Sequence, residues 1–143
     1  MTALFAILLL LAQPAPLTLD QIRADANLEH RAKAAVDYAA AAERLAEAAY
    51  DKGDMEAVTA ALNNMATGAE IARDALAQTG KSPMHHPGPF KSAELRTEEV
   101  LVRLDDLERR MDASERDVLK VPKDKVQEIH DAWFDGIMGK KKR

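Results

Sequence analysis

The chain contains no cysteine. Disulfide scaffolds, thiol nucleophiles, Cys-ligated zinc, iron–sulfur clusters, covalently attached haem and a lipoprotein anchor are therefore excluded. Aromatic residues are scarce at 4%, although hydrophobic residues make up 47%, so Ala, Leu, Val, Ile and Met must fill the core. β-Branched residues are few beside straight-chain helix formers, a balance that disfavours sheet. There is no excess of positive charge either. The net charge of −4 leaves no basic field of the kind nucleic-acid binders use, so no nucleic-acid partner is expected.

What remains is enough for one all-α domain. At 143 residues the chain can bury a single hydrophobic core without staples. Ala3 to Ala12 is an unbroken apolar run. As helix it would span roughly 15 Å, about half a bilayer core, so it does not read as a transmembrane segment. It reads instead as the apolar centre of a signal peptide, with cleavage after Ala12 and the break supplied by Gln13-Pro14-Ala15-Pro16. No Lys or Arg precedes the run, so the α-amino group alone, or residues upstream, must supply the leading charge. Residues 1–16 are accordingly expected to be a signal peptide and short linker, and the protein to be periplasmic or secreted.

From 17 to 139 the pattern predicts a single helical domain: two antiparallel helix hairpins packed as a four-helix-bundle-like unit, with a short leading helix. Thr18 and Gln21 are spaced as a capping box, and Leu17 and Ile22 as its hydrophobic staple. Leu19 and Ile22 fall off the apolar face that begins at Leu28, so this helix should end near Ala24 and a new one start at the N-cap Asn27. The helix from Asn27 to Lys52 centres its apolar face on Ala42, with Ala35 and Ala49 beside it, Tyr38 and Leu45 on one flank and Ala39 and Ala46 on the other. Ala40 is expected on the solvated side, among Lys33, Asp37, Arg44, Glu47 and Asp51. Lys52-Gly53-Asp54 reads as a tight turn. The next helix keeps Met55, Val58, Leu62, Met65, Ala69, Ala72 and Leu76 at helical spacing until Thr79-Gly80. Residues 80–91, rich in Pro and Gly, are expected to be a non-helical linker. A third helix should begin near Ser92, with Glu94 in its first turn, and bury Val100, Leu104, Leu107 and Met111. After a turn near Asp112-Ala113-Ser114, the last helix carries Leu119, Val126, Ile129, Trp133 and Ile137, with Pro122 forcing a kink or a restart. Lys140-Lys141-Lys142-Arg143 forms a basic tail (140–143) able to touch anionic surfaces.

Chemistry-bearing residues are few. His85-His86 is a partial metal site in a loop, with no carboxylate close beside it. Di-iron bundles need Glu-x-x-His on two helices; the residues three before His30 and His130 are Asn27 and Gln127. Met55 or Met65 with His130 is a conceivable haem pair, although seam methionines more often fill gaps. His130-Asp131 with Glu128 suggests an acid–base group, but adjacent helical residues diverge by about 100°, so direct pairing is not expected. Ser82, Ser92 and Ser114 sit at caps or loops, with no histidine spaced to activate them. Arg96, Arg103, Arg109 and Arg110 mingle with Glu94, Glu98, Glu99, Asp105, Asp106 and Glu108, as on a solvated face. No catalytic residue and no cofactor is expected.

Leu17-Thr18-x-x-Gln21 resembles the Leu-Thr-x-x-Gln motif of the Spy- and CpxP-type periplasmic proteins, which implies an exported helical dimer with holdase activity. More of the chain, in Ala49–Asp54, Thr79–Pro83, Phe90–Arg96, Val126–Asp131 and Gly136–Lys141, resembles an uncharacterised group of small exported bacterial helical proteins. That likeness implies fold and export but no site. The expected function is thus a non-enzymatic, exported structural or protein-interaction module of the cell envelope, self-associating or bound to a protein partner. The alternatives are a Leu-Thr-x-x-Gln-type holdase and, third, a metal or haem carrier.

Overall fold

In a computed structural model, which describes residues 16–140, the chain is all-helical: α1 (Leu19–Arg23), α2 (Leu28–Asp51), α3 (Met55–Gln78), α4 (Pro87–Arg110) and α5 (Asp117–Ile137). The expected signal peptide and most of the basic tail lie outside the described residues. Local chemistry starts and stops the first three helices. Thr18 closes its capping box with Gln21, accepting from the Gln21 N–H at 3.2 Å and donating its own N–H to Oε1 at 2.9 Å. Asn27 and Asp54 cap α2 and α3 by accepting from the N–H groups of His30 and Ala57 at 3.0 Å each. Gly53 and Gly80, at φ of 73° and 68°, take the left-handed conformation after α2 and α3 that a β-carbon would strain.

α2 and α3 form the most extensive interface. The small side chains Ala35, Ala39, Ala42 and Ala46 of α2 are buried, as are Val58, Ala61, Leu62, Met65, Gly68, Ala69 and Ala72 of α3. Ion pairs between α2 and α4 keep a constant offset of 59 or 60 residues, Asp51 with Arg110 and Glu43 with Arg103, so these two helices run parallel. α4 and α5 run antiparallel, since Lys123 meets Asp105 and His130 meets Glu94. Each hairpin therefore lies flank to flank with the other, α2 on α4 and α3 on α5, leaving α3 and α4 in light contact across the bundle.

That arrangement corrects the expected face of α2. Ala42 is buried at 4% exposure, but so is Ala40 at 6%, whereas Leu45 is 65% exposed. α2 packs against α4 as well as α3, so its buried arc widens from the α3 seam round to the α4 side, and Leu45 is left outside it.

The linker is also shorter than expected. α4 begins at Pro87 rather than near Ser92, and Phe90 is buried. Pro87 and Pro89 fall in the first turn, where backbone N–H groups have no intrahelical acceptor and a fixed φ favours the helix. Glu94 thus lies two turns in, not at the helix start. In α5, Pro122 causes no restart: the helix runs without interruption from Asp117 to Ile137. Near the N-terminus, the missing N–H costs a single bond.

Candidate functional site

α4 carries two polar edges. The first faces α2 and is built on Arg96, Arg103 and Arg110, at seven-residue intervals that return to the same side of a helix. Arg96 lies 3.4 Å from Asp37, and Arg110 donates to Asp51 at 3.0 Å. Arg103 donates through Nε to Glu43 at 2.9 Å and through Nη2 to Glu47. These arginines, expected on a solvated face, instead tie the hairpins together. Glu43 is fully buried, and its Oε1 has no hydrogen-bond partner. Burial pushes the Glu43 carboxyl up to about 7, overriding the pull of the Arg103 guanidinium.

The second edge faces α5. Lys123 bridges Asp105 and Glu108, the latter at 2.6 Å. Two turns along, His130 is enclosed by carboxylates. Its Nε2 lies 3.1 Å from Glu94 Oε1 and 2.9 Å from Glu98 Oε2, and its Nδ1 lies 3.1 Å from Asp131 Oδ1. The expected divergence of His130 and Asp131 therefore does not hold; both side chains bend along the helix surface far enough to meet. Lys91 donates to the other oxygen of Glu94 at 3.2 Å. The Phe134 ring stacks on the imidazole at 6.4 Å between centroids and 17° between planes. Glu94, Glu98 and His130 bring their ligand atoms within 4.8 Å of one another, close enough to share one ion.

Other candidates stay apart. His85 and His86 are both exposed, and His86 precedes α4 as an N-cap that makes no side-chain cap bond. His130 turns its nitrogens to carboxylates of α4 and α5, not to Met55 or Met65 of α3, so the expected axial pair is not formed. Glu128 is exposed, as are Ser92 and Ser114. At the opposite edge, the His30 imidazole hydrogen-bonds Asp25 and holds its carboxyl below the usual range. By sequence, Glu94 and Glu98 stand out only as charges on a mixed face. Their four-residue spacing places both on one side of α4, but His130 is delivered by tertiary register, which no single-helix motif reports.

The class defined by this geometry is an all-α bundle with charged seams. No protein-family model, curated protein or solved structure matches the chain. Among the described residues no helix is long and apolar enough to cross a membrane.

Proposed function

We propose that this chain is an exported, non-enzymatic helical module of the cell envelope that works by contact with a protein partner or a second copy. The observation that carries the reading is the use of its charges: Arg103 and Lys123 each brace two carboxylates from facing elements or turns. The interior of the bundle is thus given to rigidity, while Leu95, Val102 and Val121 stay exposed on outer faces. Leu95 and Val102, seven residues apart on α4, share one side of the helix. Export rests on the Ala3–Ala12 run and on the resemblance to small exported helical proteins.

The test has two parts. Intact mass of the native protein should show removal of about the first 12 residues; a soluble cytosolic form retaining Met1 sinks export. Sedimentation and crosslinking in the native envelope should show a complex that Leu95→Glu with Val102→Glu abolishes without shifting Tm. A monomer that crosslinks to nothing removes the contact role.

One observation favours the holdase as a second reading. Leu17, at the Leu-Thr-x-x-Gln motif, borders a partly apolar hollow of about 320 Å³ with Ile22, Ala34, Tyr38 and Ala41. Suppression of aggregation of an unfolded client, lost in Leu17→Ser, would support it; equal suppression by both proteins would not.

A further inference from the structure

We propose that Glu94, Glu98 and His130 form a binding site for a divalent transition-metal ion, zinc in first place, with Asp131 orienting the imidazole. The donor set is two carboxylates and one imidazole, three protein ligands of the kind that leave further positions to water. The spacing fits. An ion held about 2.0–2.2 Å from each donor places neighbouring donors of a tetrahedron roughly 3.3–3.6 Å apart. The observed separations from His130 Nε2 are 3.1 Å and 2.9 Å, within a few tenths of an ångström of that range, and all three donor atoms lie within 4.8 Å of one another.

The surroundings point the same way. The His130 side chain is only 9% exposed, and its Nε2 is aimed between Glu94 and Glu98. The tautomer that donates Nδ1–H to Asp131 turns the Nε2 lone pair to two carboxylate oxygens, whose charge either a proton on Nε2 or a bound cation would balance. A carboxylate on the far nitrogen is also the usual partner of a metal-bound histidine. Lys91 holds Glu94 through Oε2, leaving Oε1 turned to the site. A dication neutralises Glu94 and Glu98, while Lys91 and Asp131 offset each other. Glu94 is 6% exposed and fixed, whereas Glu98 is 55% exposed and provides the way in.

The test is titration of the chelator-stripped protein with zinc by calorimetry, and with cobalt(II) by absorbance. The expected result is one ion per chain at micromolar affinity or tighter, with a cobalt d–d band and a zinc-dependent rise in Tm. Glu98→Gln, at an exposed position, should leave the metal-free Tm unchanged and weaken zinc at least tenfold. Asp131→Asn should weaken it roughly 10–100-fold. Replacing His85 and His86 by Ala should change neither value. No saturable binding below 100 µM (about a hundredfold weaker than micromolar), or binding that survives Glu98→Gln and disappears with His85 and His86, overturns the site.

Discussion

Gly68 of α3 sits directly against the backbone of α2 at Ala35: a β-carbon built on Gly68 would lie 2.9 Å from the Ala35 carbonyl oxygen and 3.1 Å from the Tyr38 ring. Ala is otherwise the better helix former by about 1 kcal/mol. Because the obstacle is backbone, Gly68→Ala should nonetheless destabilise the protein, by about 1–2 kcal/mol net of that gain. Urea melts decide it. A Gly68→Ala variant at least as stable as wild type would mean the two axes can separate freely.

Alanine on α2 should likewise be irreplaceable on two sides. Ala42→Leu should cost about 1–3 kcal/mol by overpacking the α3 seam. Ala40→Leu should cost a similar amount, because Ala40 is buried too. Ala41→Leu, at an exposed position, should stay within about 0.5 kcal/mol of wild type. Equal midpoints for all three at constant m-value would make the alanine run mere helix-forming filler.

Ala40 also shows where the sequence stops being legible. The capping box of Thr18, the N-caps Asn27 and Asp54 and the turn at Gly53 were readable because a few neighbouring residues determine each one. The inward face of α3 was readable because apolar spacing reports one buried stripe. α2 buries two, and the second depends on where another hairpin docks, which no local pattern records. Pro87 and Pro89 misled for a different reason: a residue that breaks a helix interior is well suited to its first turn. The Glu94–His130 contact joins residues 36 positions apart. Its ligand types were visible, but their meeting depended on the antiparallel register of α4 and α5.

Glu43 should impose a pH dependence on stability. Burial raises its folded pKa from 4.5 to about 7. Between those values the folded protein retains a proton that the unfolded chain has released. Its contribution is thus complete below about pH 4.5 and is lost as pH rises through 7. Glu43→Gln should remove this slope and stabilise the protein at pH 8 by on the order of 1–3 kcal/mol relative to its effect at pH 4.5. Denaturant midpoints at half-unit pH intervals measure it. A pH profile that Glu43→Gln leaves unaltered would place the ionisation elsewhere.

The same carboxylate makes Arg103 different from the other two arginines of its edge. Arg96 and Arg110 pair with Asp37 and Asp51, whose side chains are about half exposed or more, at 45% and 64%. Water compensates such carboxylates when the arginine is removed, so Arg110→Ala should cost no more than about 1 kcal/mol at any pH. Arg103 serves a carboxylate that water does not reach. At pH 8 Glu43 is mostly ionised, and without the Arg103 guanidinium it would take up a proton rather than remain a buried unpaired charge; Arg103→Ala should then cost about 2 kcal/mol. At pH 5 Glu43 carries its proton, the charge is gone, and the cost should fall to about 1 kcal/mol, mostly lost hydrogen bonding and stem packing. In the Glu43→Gln background the difference between the two pH values should vanish, because no carboxylate is left there to take up a proton. Urea melts of the four proteins of this cycle at pH 5 and pH 8 test the argument directly. If Arg103→Ala costs the same at both values, Arg103 contributes packing alone, and Glu43 does not ionise within the folded bundle.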